Sequence, residues 1–285
     1  MLIGSHVSIS GGLLGAAKEA ISYDANTFMV YTGAPQNTKR KPLDKLKIDE
    51  GLEYMKERGI GEIVVHAPYI VNLASPNPST YGLAVMFLAE EIRRAEAFKS
   101  PYIVVHPGAY TESSLEEGIE KIANALNDIL TEETNITICL ETMVGKGTEI
   151  GKNFEELKSI IDRVTLSEKI GVCFDTCHTH DSGYDIVNDF EGVMQQFDKI
   201  LTLDKLKVFH LNGSLNVRGA KKDRHANLGA NEDNPRGKDQ IGFDAIYKIV
   251  HSKYAKGRPL ILETPWLDSK TNLYKEEIAA LREKR

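Results

Sequence analysis

The chain has 285 residues, 41% of them hydrophobic, and a formal net charge of −6. That is enough for two ordinary domains or for one α/β barrel, which typically takes about 250 residues. No apolar run approaches the roughly 20 residues that span a bilayer. The start, Met1-Leu2-Ile3-Gly4-Ser5-His6, lacks a basic segment followed by an apolar stretch. A cytoplasmic protein with no membrane partner is expected. The negative charge excludes a general polyanion binder, so any polyanion must be met by local cations. Candidates are Lys39-Arg40-Lys41, Lys221-Lys222 with Arg224, and Arg236 with Lys238.

Taken in order, short apolar or β-branched runs alternate with helical patterns. Strands are predicted over 2–7, 27–31, 62–65, 102–105, 136–140, 170–174, 206–209 and 259–262. Helices are predicted over 13–21, 44–58, 81–98, 114–130, 154–161, 189–203, 243–251 and 273–283. Ser79 and Thr80 are candidate caps for the third helix. Ser114-Leu115-Glu116-Glu117 has capping-box spacing, and Asn153 precedes the fifth helix with Glu156 three residues on.

Strand ends fall near residues 6, 31, 66, 106, 141, 175, 210 and 263, and β-α units need roughly 30 residues or more. Eight alternations make a closed (β/α)8 barrel, the TIM barrel, the leading architecture, with residues 1–285 as one domain. An open doubly wound sheet is the alternative, but Gly11-Gly12 does not supply its glycine-rich phosphate loop. Residues 213–242 are polar, glycine-rich and basic, the mark of a functional insertion in a barrel loop.

In such barrels the C-terminal strand ends converge on the active site. Six of the eight end on a possible metal ligand: His66, His106, Glu141, Asp175, His210 and Glu263. His178 follows Asp175 by three residues, and Asp223 and His225 lie in the long loop. Any one of these alone reads as a hydrogen-bonded loop residue. Together, unpaired in one mouth, they would cost several kcal/mol unless cations compensate. Imidazole and carboxylate without thiolate suit zinc, and also manganese or iron. Nine side chains are many for two ions but reasonable for three if one carboxylate bridges. Three divalent ions against four carboxylates leave a positive site, suited to a phosphodiester.

The cysteines, Cys139, Cys173 and Cys177, lack Cys-x-x-Cys spacing, which argues against a thiolate cluster or a disulfide framework. Cys139 and Cys173 read as buried small hydrophobes, and Cys177 as packed behind the ligands beside it. His6 reads as a supporting residue, His180 as either a supporting residue or a plain loop residue, His251 as a surface residue, and Tyr184 and Trp266 as packing.

Several stretches carry a resemblance. They are His6-Val7-Ser8 with Gly11-Gly12; Tyr69-Ile70-Val71-Asn72-Leu73 after His66; His106-Pro107-Gly108; Glu141-Thr142 with Gly145 and Gly147; Gly171 to His178; His210-Leu211-Asn212; Asp223-Arg224-His225 with Gly229; and Leu262-Glu263-Thr264. In these the chain resembles endonuclease IV, the zinc-dependent abasic-site endonuclease family, over nearly its whole length. The resemblance implies three zinc ions per chain, with manganese or iron at one position an option. His66, His106 and Glu141 would hold the first ion. Glu141 would bridge to the second, held also by Asp175, His210 and Glu263. His178, Asp223 and His225 would hold the third.

The implied activity is hydrolysis of the phosphodiester 5′ to an abasic site in double-stranded DNA, leaving 3′-OH and 5′-deoxyribose phosphate ends. Removal of 3′ blocking groups is a further expectation. Glu263 would orient or deprotonate the attacking water, with Glu141 the other candidate catalytic residue. Gln36, Tyr69 and Ile70 would enter the duplex, and Lys39, Arg40, Lys41, Lys221 and Lys222 would meet phosphates. A monomer is implied, nucleoid-associated in a bacterium. Two positions depart from the pattern: Gly213 where the family usually has Asp, and Gln36-Asn37 where some relatives have an Arg that enters the duplex. Rival readings are a metal-dependent sugar isomerase on a similar barrel and a non-catalytic metal or DNA-binding protein.

Overall fold

The computed structural model describes residues 1–283. Eight parallel strands, β1 (Leu2–His6), β2 (Thr27–Tyr31), β3 (Val64–His66), β4 (Tyr102–Val105), β5 (Thr137–Glu141), β6 (Ile170–Asp175), β7 (Leu206–Leu211) and β10 (Pro259–Leu262), close into a barrel. The order around it is β1-β10-β7-β6-β5-β4-β3-β2. The closing pair sets Leu2 opposite Pro259 and Ser5 opposite Leu262. A two-residue ribbon, β8 (Gly213–Ser214) with β9 (His225–Ala226), stands apart as an antiparallel pair. The TIM barrel expectation is met.

The outer layer is α1 (Gly12–Ser22), α2 (Ile48–Arg58), α3 (Pro78–Ala97), α4 (Leu115–Ile129), α5 (Phe154–Ile161), α7 (Phe190–Leu201), α8 (Phe243–Val250) and α9 (Tyr274–Arg282). A short α6 (Thr176–Ser182) follows β6 directly. Caps set several starts. Ser114 and Glu117 form the full capping box, and Asn153 accepts from the Glu156 N–H. The predicted third helix begins earlier than expected. Asn77 is its cap and Pro78 its first residue, a position where the missing N–H costs nothing. The predicted 44–58 helix is broken: Lys47 takes a left-handed φ of 48°, and the continuous helix begins at Ile48.

The strands are apolar on both faces because the barrel has two cores. Outward residues pack against the helices in the large core. A second buried cluster takes one residue from each of seven strands: Met29, Val64, Val104, Cys139, Cys173, Val208 and Ile261. Side chains on a strand alternate faces, so the next inward position is two residues on. Those positions are Tyr31, His66, His106, Glu141, Asp175, His210 and Glu263. On β1 the matching end residue is His6. The polar layer at the mouth is thus the next layer of barrel packing, carrying ligand-type side chains.

Candidate metal centre

Glu141 sits at the middle of this layer, 1% exposed. Its Oε2 lies 3.1 Å from His66 Nε2 and 3.1 Å from His106 Nε2. Its Oε1 lies 2.9 Å from His210 Nδ1 and 3.3 Å from His178 Nδ1. The two oxygens therefore face different histidines, as a bridging carboxylate must. His210 Nδ1 also lies 3.1 Å from Glu263 Oε2 and 3.8 Å from Asp175 Oδ2. Asn212 Nδ2 donates to Asp175 Oδ2 at 2.7 Å and to Glu263 Oε2 at 3.3 Å, steadying both carboxylates.

The remaining three residues meet at the side of the mouth. His178 Nε2 and His225 Nε2 lie 3.2 and 3.3 Å from the same oxygen, Asp223 Oδ1. Local structure explains the position of His178. Asp175 is the N-cap of α6, its Oδ1 accepting from the His178 N–H at 2.7 Å. The Asp-x-x-His spacing is therefore a helix cap. It ends β6 and turns the chain so that the imidazole three residues on returns to the mouth.

The tautomers supply the chemical test. His66 Nδ1 lies 2.6 Å from the Ala67 carbonyl, His178 Nδ1 2.8 Å from that of Thr142, and His225 Nδ1 3.3 Å from that of Glu263. A carbonyl only accepts, so each of these nitrogens carries the hydrogen. Each neutral ring then presents Nε2 as a lone pair, and each lone pair faces a carboxylate oxygen. That contact is repulsive unless a cation stands between, either a second proton or a metal ion. Two ligands of one tetrahedral zinc, each about 2.1 Å from it, stand roughly 3.4 Å apart. The 3.1 to 3.3 Å contacts match that separation. His225 Nε2 and His210 Nε2 are moreover buried with no hydrogen-bond partner among the described residues. The groups His66-His106-Glu141, His66-His210-Glu263 and His178-Asp223-His225 each bring their donor atoms within 4.8 Å of one another.

In the metal-free protein, protons take up the same contacts. Burial opposes charge on His225, but the neighbouring Asp223 and Asp175 carboxylates outweigh it and raise the group to about 9. Burial likewise opposes charge on His178 and His210, yet the neighbouring acids hold both well above the ordinary imidazole value. Burial works against ionisation of Glu141, and the charges of His210 and His106 outweigh it, so the carboxyl stays well below its usual range. Ions entering the site must displace these protons, so affinity rises with pH. The thiols are not candidates to join: burial pushes Cys173 up to about 12 and Cys177 higher still.

A family model described as a xylose isomerase-like TIM barrel matches residues 17–284. The "Probable endonuclease 4" of Geobacillus sp. (strain WCH70) is 55% identical over 287 residues, 98% of this chain and 94% of that protein. The chain belongs to the endonuclease IV family. Endonuclease IV from Thermus thermophilus superposes with a TM-score of 0.82 at 28% identity, over 99% of this chain and 98% of that one. A D-tagatose 3-epimerase-like protein shares the fold alone, with a TM-score of 0.72 at 21% identity over 99% and 96%.

Around this endonuclease IV centre the other predicted residues fall unevenly. Tyr69 and Ile70 are 53% and 36% exposed on the loop after β3. Gln36 and Lys39 are exposed on the loop after β2, and Lys221 and Lys222 on the long loop. A cavity of about 470 Å³ beside the centre is lined by residues including His6, Tyr31, Asn37, Lys39 and Lys41. Arg40 is a correction. Its side chain is 6% exposed, and Nε pairs with buried Glu91 of α3 at 2.6 Å. Nη1 bonds the Ala34, Asn37 and Lys39 carbonyls. It pins the loop from inside and does not face a phosphate.

His6 packs against Tyr31, the ring centroids 4.7 Å apart and the planes tilted by 58°, and burial pushes it down to about 4, so it is neutral at pH 7. His180 lies on α6 with Nε2 3.2 Å from the Asn216 carbonyl. His251 is exposed at the C-terminal end of α8. Tyr184 stacks on Phe154 at 4.5 Å, and Trp266 is 38% exposed, its carbonyl accepting from Arg236. Sequence reasoning missed Tyr31, although it stands two residues beyond Met29 in the inward register. It also missed Thr142, whose hydroxyl accepts from the Asp175 N–H at 2.9 Å while its carbonyl holds His178.

Proposed function

We propose that this chain hydrolyses the phosphodiester on the 5′ side of an abasic site in double-stranded DNA, using three zinc ions. His66, His106 and Glu141 would hold the first ion. Glu141, Asp175, His210 and Glu263 would hold the second, and His178, Asp223 and His225 the third. Bound zinc supplies Lewis acidity, lowering the pKa of water toward about 7 and neutralising phosphate charge. The observation that carries this reading is the set of imidazole lone pairs aimed at carboxylate oxygens in the mouth of a family barrel.

The chain's own residues do the rest. Glu263 is the carboxylate of the strand layer that reaches solvent, its side chain 14% exposed against 1% or less for Glu141 and Asp175. It is ionised at neutral pH, because the charge of His210 outweighs its burial. It accepts the hydrogen bond of the attacking water and orients it. Water oxygen bonds to phosphorus as the bond to the upstream 3′ oxygen breaks. That oxygen takes up a proton, which leaves 3′-OH and 5′-deoxyribose phosphate ends. Tyr69 and Ile70 act as wedges at a step where pairing is already lost. The lysines, Lys39 and Lys41 on one loop and Lys221 and Lys222 on the other, contact phosphates. The same centre would release phosphate-bearing 3′ blocking groups.

The test is an end-labelled duplex with one abasic analogue, with and without a strong chelator. A chelator-sensitive nick on the 5′ side is expected. Intact DNA together with ketose epimerisation by the same protein would instead place it with the sugar epimerases.

A further inference from the structure

The third cluster draws Asp223 and His225 from a long loop, and something must hold that loop to the barrel. Gly213, at its start, has no side chain, yet its φ is not in the positive range. It is glycine for room. A Cβ there would lie 2.6 Å from the Asp239 carboxyl carbon and 2.7 and 2.9 Å from its two oxygens. Asp239 comes from the far end of the loop and is 6% exposed. Its Oδ1 accepts from the N–H groups of Ser214 at 3.0 Å and Ile241 at 2.9 Å. Its Oδ2 accepts from those of Gly229 at 2.9 Å and Gly242 at 3.0 Å. One carboxylate thereby ties the beginning, middle and end of residues 213–242. On the other side of the ribbon, Asp181 of α6 accepts from Ser214 Oγ at 2.6 Å, Asn216 Nδ2 at 3.0 Å and the Asp223 N–H at 3.2 Å. Between the two acids, Ser214 pairs with His225 in the β8–β9 ribbon, and the Leu215 N–H donates to the Arg224 carbonyl at 2.9 Å.

We propose that Asp239 is a positioning residue for Asp223 and His225, and that Gly213 and Asp239 are a coupled pair in which the glycine vacates the volume that the carboxylate occupies. The inference rests on the three-ion reading above. Asp239 sets the register of the ribbon, and the ribbon carries His225 to the oxygen it shares with His178. Charge at this point matters more than its source in the chain. A carboxylate placed at 213 would enter the same space once Asp239 is truncated.

The experiment uses the full chain in three forms, Asp239→Ala, Gly213→Asp and the double variant. Zinc content and affinity are measured against a competing chelator, and hydrogen exchange over residues 213–226 is followed in the metal-free protein. Each single variant is expected to keep two ions, to bind the third ~10–100-fold more weakly, and to exchange faster across the ribbon. The double variant is expected to recover much of both. Singles that keep the third ion at full affinity, or a double no better than the weaker single, would overturn the proposal. Fewer than three ions in the unaltered protein would sink the three-ion reading instead, and the exchange comparison would still judge Asp239. If Asp239→Ala does not fold, Asp239→Asn, which keeps the shape but turns a donor toward those N–H groups, serves in its place.

Discussion

The mouth of this barrel draws its ligand-type side chains from two regions built by different means. His66, His106, Glu141, Asp175, His210 and Glu263 occupy one layer of strand register, two residues beyond the apolar layer beneath them. Their positions follow from barrel closure, and moving one would require moving a strand. His178, Asp223 and His225 come instead from a seven-residue helix and a loop, held by backbone N–H groups that donate to Asp175, Asp181 and Asp239. The first set is as rigid as the core. The second is as rigid as its polar anchors, each of which depends on a few hydrogen bonds worth about 0.5–1.5 kcal/mol apiece, more where charged.

The two regions should part most sharply at Glu141. Glu141→Ala removes the oxygens that face His66, His106 and His210, so both ions of the strand layer should be lost while the loop-side ion stays. Several kcal/mol of charge stabilisation would go with them, lowering kcat/KM ~10³-fold or more. Zinc content alongside single-turnover cleavage checks this, and loss of all three ions would mean that the regions are not separable. His178→Ala should do the reverse, losing one ion with the fold intact and costing ~10²–10³-fold in kcat. Global unfolding seen by circular dichroism would assign His178 a structural role.

Thr142→Val probes the joint between the regions, since the Thr142 hydroxyl also meets Thr179 Oγ1 at 3.2 Å. The near-isosteric change should weaken zinc ~10–100-fold without loss of fold, and a competition titration reads it. The smallest effect on the centre itself concerns Glu277 of α9, which accepts from Thr264 Oγ1 at 2.6 Å and from the Leu228 N–H at 2.9 Å. Burial pushes this carboxyl up from 4.5 to about 7. Its folded value is raised, so the stability it contributes is present below pH 4.5 and is lost as pH rises through about 7. The loss should be ~1–3 kcal/mol, and denaturant melts of Glu277→Gln should lack it over that window.

What was legible in the sequence follows the same division. The strand layer could be read because an apolar run ending on His, Asp or Glu is a period-2 pattern, and the runs recur at β-α spacing. The loop side was less legible. Helix α6 is too short to show amphipathic periodicity, and its start is marked only by Asp175, which reads equally well as a ligand. The β8–β9 ribbon has two residues per strand. Asp239 stands 26 positions from the glycine whose space it fills, and nothing local announces that contact. The Lys39-Arg40-Lys41 run misled for a similar reason. Three adjacent cations look alike in sequence, but the partner that turns the middle one inward, Glu91, lies on α3.

Metal positions test the three-ion centre most directly. Diffraction from zinc-loaded crystals at the zinc absorption edge should show three anomalous peaks per chain: one between His66, His106 and Glu141, one between Glu141, Asp175, His210 and Glu263, and one between His178, Asp223 and His225. Two peaks or fewer in fully loaded protein, or a peak that leaves the His178, Asp223 and His225 donors uncoordinated, would contradict it.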